Sequence, residues 1–108
     1  MAALYTQDAV FFGGFPEHYV GREQVEAYFR SYKDVLASIE LAFSDIVSAR
    51  AESMLLYQGF ADFKFGLTDG RTTFNRLRAT LILERVSTTW QIKLHHFSPP
   101  PSEPPVPR

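Results

Sequence analysis

Residues 53–66 and 72–85 constrain this chain more than any other stretch. Side chains alternate across a strand with period two, and both runs follow that period. In the first run Leu55, Tyr57, Ala61, Phe63 and Phe65 take one face, and Met54, Leu56, Phe60 and Asp62 take the other. In the second run Thr72, Phe74, Arg76, Arg78, Thr80, Ile82 and Glu84 share a face, with Leu77, Ala79, Leu81 and Leu83 opposite. Thr68-Asp69-Gly70 lies between them and is a hairpin signal, because Asp-Gly tolerates the positive φ that tight turns need. The first run is largely apolar on both faces, so both faces are expected to be covered. A helix can cover one. A partner subunit is the simplest cover for the other.

The remaining elements fall around this pair. Residues 8–12, Asp-Ala-Val-Phe-Phe, read as a short strand closed by Gly13-Gly14-Phe15-Pro16. Gly21 precedes a helix opening at residues 22–32, whose apolar face Val25, Tyr28, Phe29, Tyr32, Val35 or Leu36, and Ile39 recurs at three- and four-residue steps, a period that makes a helix of about 17 residues. Glu23 and Glu26 suit the N-terminal end of its dipole. Residues 39–50 return to period two, with Ile39, Leu41, Phe43 and Val47 on the apolar side. Residues 90–98 form the last strand. Trp90, Ile92, Leu94, His96 and Ser98 are expected on one face, and Gln91, Lys93, His95 and Phe97 on the other. The tail from Pro99 holds six of the seven prolines and cannot pair in a sheet, so residues 99–108 are expected to be an extended or disordered end to a domain over 1–98. The order of strand, helix and long antiparallel strands is that of an α+β fold.

The bulk numbers exclude several functions. A chain of 108 residues fits one domain. Its formal net charge of −1 argues against nucleic acid as a partner, since phosphate binding needs clustered excess Lys and Arg. No apolar run approaches the ~18 residues of a membrane span, and the N-terminus lacks a basic segment followed by an apolar core. The absence of cysteine removes disulfides and thiol chemistry and suits the cytoplasm. Aromatics are 15% of the chain, enough for an aromatic interior.

Several side chains could carry chemistry. His96 and Ser98 end the last strand on one face, with His96 as general base or ligand donor. The competing reading is a buried, hydrogen-bonded histidine. Arg76 and Arg78 share a strand face and are either both solvated or both aimed at an anion, with a structural ion pair to Asp62 or Glu84 as the competing reading. Asp62, between Ala61 and Phe63, could act as a base in apolar surroundings, or be an arginine's partner or a rim residue. Asp45 is a weaker case of the same kind. Tyr28 and Tyr32 are core by spacing, though a phenol end can reach a cavity. Trp90 packs or stacks a ligand, and His18 sits in a loop. Metal binding is not expected: His95 and His96 are adjacent and point to opposite faces. No cofactor motif is present.

Taken in order, Asp8-Ala-Val-Phe-Phe-Gly, Gly21-Arg22-Glu23 opening a helix that runs on to Tyr28-Phe29, Asp69-Gly70, Arg78-x-Thr80, Trp90-x-Ile92 and His96-Phe97-Ser98-Pro99 resemble the SnoaL-like branch of the nuclear transport factor 2-like superfamily. They also resemble the association domain of calcium/calmodulin-dependent kinase, of the same superfamily. The resemblance covers residues 4–99. It implies a cone-like curved antiparallel sheet packed on helix, with a cavity at the open end and dimerisation through the outer sheet face. It also implies that Arg78 points inward to hold a carboxylate or enolate oxygen, and that His96 and Ser98 reach the cavity. Family members carry a long N-terminal helix before the Asp-Ala-Val strand. Only seven residues precede Asp8 here, so that helix is expected to be shortened or missing.

The expected role is binding of a small, largely apolar molecule in a cavity with a few polar groups. An enzyme of isomerase, cyclase or epoxide hydrolase type would use His96 or Asp62 as base, with Arg78 or a tyrosine at the oxyanion and Ser98, Tyr28, Tyr32 and Trp90 lining the ligand. The rival is a non-catalytic dimerisation or assembly domain whose cavity is filled.

Overall fold

A computed structural model describes residues 4–106. Strands β1 (Tyr5–Phe12) and β2 (Tyr19–Val20) precede helix α1 (Arg22–Arg30). Four long strands follow: β3 (Leu36–Ala51), β4 (Met54–Leu67), β5 (Thr72–Val86) and β6 (Thr89–Ser98). They form one curved sheet in the order β2-β1-β6-β5-β4-β3. The α+β class therefore holds. The sheet is mixed rather than purely antiparallel, because β1 lies parallel to β6, pairing Phe11 with His95 and Phe12 with His96.

The central pair behaves as its alternation requires. β4 and β5 pair in unbroken register from Met54 opposite Glu84 to Gly66 opposite Thr72. Directly opposed residues share a face. Leu55, Tyr57, Ala61, Phe63, Leu77, Ala79, Leu81 and Leu83 thus lie together on one side. Gly70 closes the hairpin at φ 91°, a conformation that costs glycine nothing.

Helix α1 has nine residues and stops at Arg30, well short of the apolar period that the sequence carries on to Ile39, and that longer helix is corrected. Ser31 Oγ donates to the Tyr28 carbonyl at 2.6 Å, and the amides of Val35 and Leu36 both reach the Tyr32 carbonyl at 3.0 Å. The carbonyls at the helix end are satisfied in turns, and the chain enters β3 at Leu36 instead of residue 39. At the other end Gly21, at φ 87°, donates its amide to the Ala9 carbonyl at 2.7 Å and ties the helix start to β1.

Val25 and Tyr28 pack with Tyr5, Ala9 and Phe11, with Ile92 at the edge. The helix sits on β1 and β2. A second cluster, Ala61, Phe63 and Ala79 with Phe65, Leu77 and Phe97, lies on the same sheet face beyond the helix. No helix among the described residues is long and apolar enough to cross a membrane. Residues 99–106 are exposed and outside every strand and helix; Pro107 and Arg108 lie outside the described residues.

Candidate functional site

The last strand does not keep one face from end to end. Ile82 pairs with Leu94, but Leu83 pairs with Ile92, so one extra residue is accommodated at Lys93. An extra residue inverts the alternation beyond it. Trp90 and Ile92 consequently join the α1 face, where Ile92 packs against the Tyr5–Phe11 cluster. Leu94, His96 and Ser98 lie on the opposite, outer face. The expected single face from Trp90 to Ser98 is thus divided, and the grouping of Trp90 with His96 is corrected.

On the α1 face, His95 occupies the junction of the two apolar clusters. Its ring lies edge-on to Phe11 at 4.7 Å and to Phe97 at 3.9 Å between centroids. Its Nδ1 shares a 2.7 Å hydrogen bond with the Tyr5 hydroxyl. Its Nε2 is buried and has no partner among the described residues. Burial, and secondarily the neighbouring His96, push the His95 pKa down to about 3, so the ring is neutral at neutral pH. A neutral imidazole has one N–H and one lone-pair nitrogen. In either tautomer, satisfying Nδ1 through Tyr5 leaves Nε2 as an unmatched donor or acceptor. Burial also raises the Tyr5 phenol, with Tyr28 adding to the shift.

Farther along the same face, the Arg50 guanidinium lies 5.9 Å from the Trp90 ring centroid. Arg50 stands on β3 and Trp90 on β6, so the contact passes over β4 and β5. The same face carries Tyr57, Leu77, Leu81, Leu83 and Phe97, each half-buried. On edge strand β3, Ile39, Leu41 and Phe43 pair with Phe65, Phe63 and Ala61 and are 51%, 44% and 47% exposed.

Of the residues the sequence nominated, the outer face holds Asp62, Arg78, His96 and Ser98. A depression of about 550 Å³ is lined by Asp45, Gln58, Phe60, Arg78, Thr80, His96 and Ser98, among others. One Nη of Arg78 donates to Ser98 Oγ at 3.2 Å, and Gln58 donates to Thr80 Oγ1 at 3.2 Å. His96 stands opposite Thr80 and packs against Phe12, whose other neighbour is His18 at 4.6 Å. Arg78, His96 and Ser98 do come together, but on the side turned away from α1. The inward direction implied for Arg78 is corrected, because it shares the parity of Arg76 and Thr80 while Ala79 carries the apolar face.

Asp62 is not isolated in an apolar site. It pairs with Arg76 at 3.3 Å on the outer face, its side chain 44% exposed. Arg76 also meets Asp45 at 3.6 Å and lies over the Phe60 ring at 4.3 Å. Tyr28 and Tyr32 are tied to the glycine loop: the Gly14 amide donates to the Tyr28 hydroxyl at 2.8 Å, and that hydroxyl donates to Tyr32 at 3.5 Å. Burial chiefly raises the Tyr32 phenol. No cluster of three metal-ligating side chains occurs among the described residues.

Sequence reading passed over His95 because its environment depends on β1. Tyr5 lies ninety positions away, and the parallel pairing of first and last strands leaves no local signature. The available signal was the parity of His95 with Phe97.

No curated protein matches the chain significantly. Solved structures do. A protein assigned as a calcium/calmodulin-dependent protein kinase II association domain from Xanthomonas campestris superposes with a TM-score of 0.84 at 23% identity, over 94% of this chain and 73% of that one. A nuclear transport factor 2-like superfamily protein from Salmonella enterica gives 0.77 at 16% identity, over 93% and 75%. A protein assigned as a dehydratase of the same superfamily, from Streptomyces avermitilis, gives 0.78 at 17%, over 94% and 82%. These likenesses establish the fold. The family model for the SnoaL-like domain matches residues 1–102, and with that match across nearly all of its length the chain belongs to the SnoaL-like family.

Proposed function

We propose that this domain binds a small, largely apolar molecule on the α1 face, with a polar group of the ligand completing His95. The unpartnered Nε2 carries the reading. A buried polar atom without a partner costs about 1–3 kcal/mol, and a ligand group that supplied the bond would recover much of it. Phe97 packs edge-to-face against the ring at 3.9 Å between centroids. The half-buried apolar residues from Tyr57 to Phe97 offer contact area of the kind small-molecule sites use. Binding is favoured over acid–base catalysis on this face. A histidine whose pKa is about 3 is a weak base at neutral pH, where effective catalysts lie near 7. Catalysis of the isomerase, cyclase or epoxide hydrolase type would need a base other than His95 there.

The single tryptophan, Trp90, is a built-in reporter on this face. A steroid ketone, an aromatic polyketide-like phenol and an aliphatic epoxide are the probes. At least one is expected to shift Trp90 emission saturably and to raise the melting temperature. No response to any of them would refute the reading.

A second reading is assembly. The half-exposed Ile39, Leu41 and Phe43 favour it, since apolar side chains in a row on an edge strand invite a covering partner. Homodimerisation through the outer sheet face is the other form, supported by exposed Phe12, Met54 and Leu56. Sedimentation of Phe43→Asp and Leu56→Asp variants distinguishes them: the substitution in the true interface is expected to yield monomers.

A further inference from the structure

We infer that Tyr5 is a positioning residue: it fixes the tautomer of His95, so that the α1-face site takes an uncharged ligand whose polar group is an acceptor-only oxygen, as in a ketone, ester or ether. This rests on the α1-face reading and names the ligand class for it. Both residues are buried. The Tyr5 hydroxyl has one side-chain partner among the described residues, Nδ1 of His95 at 2.7 Å. Tyr28, in the same cluster, is engaged elsewhere: its hydroxyl accepts from the Gly14 amide and donates to Tyr32. Burial keeps the Tyr5 phenol protonated, so its hydrogen needs an acceptor. If Nδ1 carried the imidazole proton and donated to Tyr5, the Tyr5 O–H would have no acceptor, and Nε2 would be a second buried group without a partner. With the proton on Nε2, Tyr5 donates to Nδ1 and the Nε2–H alone is left over. One orphaned group costs less than two, so Nε2 is a donor.

A donor at Nε2 selects its ligand by what the surroundings cannot supply. The rings packed on His95 are Tyr5, Phe11 and Phe97, and none is charged. His96, next in the chain, lies on the outer face, and the Arg50 guanidinium is held over Trp90. A carboxylate brought to Nε2 would shed its hydration with no cation beside it. An alcohol or phenol would accept from Nε2 but bring a hydrogen of its own. The Tyr5 oxygen sits at Nδ1, on the other side of the imidazole, and the phenylalanine rings offer that hydrogen no lone pair. A ketone, ester or ether brings an acceptor and no donor, and leaves nothing unpaired. A site with a buried polar group rejects analogues that lack its partner more sharply than an apolar pocket sorts by size.

Tautomer and selectivity are measured separately. Histidine ring NMR of the ligand-free protein is expected to show Nε2 of His95 protonated and Nδ1 bare. A protonated Nδ1 overturns the inference and leaves apolar binding on this face standing. Trp90 emission then follows four bicyclic probes of one shape: β-tetralone, β-tetralol, tetralin and tetralin-β-carboxylate. The ketone is expected to bind about tenfold more tightly than each of the others. Equal binding of tetralin, or tighter binding of the alcohol or carboxylate, overturns the ligand class alone, whereas no response to any probe removes the α1-face reading and this inference together. Tyr5→Phe, which leaves both tautomers open, is expected to bring ketone and alcohol within about twofold of each other. Equal weakening of all four probes would show a purely structural Tyr5 and overturn its positioning role. The double variant Tyr5→Phe/His95→Leu, which buries neither polar group of the pair, guards against misfolding of the single one. It is expected to bind β-tetralone and tetralin alike, and a surviving preference for the ketone overturns the assignment.

Discussion

Tyr5 and His95 are joined by a 2.7 Å hydrogen bond between the first and last strands of the sheet. The pair is buried, and its bond links the helix-covered cluster to the aromatic residues beyond the helix. Deleting one partner should cost more than replacing both, since a lone buried polar group pays its desolvation without return. Tyr5→Phe, which strips the partner from Nδ1, should destabilise by about 1–3 kcal/mol in urea unfolding. The double variant Tyr5→Phe/His95→Leu should recover part of that loss. Equal or greater loss in the double variant would show that packing, not the polar pair, sets the cost.

The same histidine makes stability pH-dependent. Its folded pKa, about 3, lies below the ordinary 6.5. Between those values the unfolded chain binds more protons than the folded one, so stability rises with pH through that window. It is complete above about 6.5 and falls as the medium is acidified. The slope from this group approaches about 1.4 kcal/mol per pH unit inside the window. Unfolding measured between pH 5 and 7 isolates it, because Asp8, lowered by its bonds to Lys93 and Thr6, loses its contribution at lower pH. Tyr5→Phe/His95→Leu should flatten the profile in that range.

Gly59 should tolerate no side chain. A Cβ there would meet the Ser44 and Asp45 carbonyl oxygens at 2.8 and 2.9 Å and Ile46 Cδ1 at 2.6 Å. The carbonyls belong to the β3 bulge and cannot rotate away as a side-chain tip would. Gly59→Ala is expected to lose about 1–3 kcal/mol by overpacking, read as a lower urea midpoint at unchanged slope. A neutral result would show that the bulge yields freely.

Asp62 should be dispensable for folding. Its pair with Arg76 is solvent-exposed on both sides, and such pairs contribute about 0–1 kcal/mol. Asp62→Asn should therefore shift stability by less than about 1 kcal/mol and leave Trp90's response to apolar probes unchanged. A lost response would return Asp62 to the binding face.

The central hairpin was legible because its information is local. Alternation from Leu55 to Phe65 and from Leu77 to Leu83, with Asp69-Gly70 between, determined two strands, their turn and the sorting of their faces. The Asp-Ala-Val, Gly-Arg-Glu and His-Phe-Ser signatures determined the family. What period two cannot carry is a register shift. The extra residue at Lys93 inverted the parity of Trp90 and Ile92 relative to His96, and only the pairing of β5 with β6 reveals it. Nor does the chain announce which residues meet across ninety positions. Tyr5 finds His95 because the sheet sets its first strand beside its last, in parallel. That choice, made by burying Phe11, Ile92 and Val25 together, turned His95 into the buried histidine and sent His96, with Arg78 and Ser98, to the far side of the sheet.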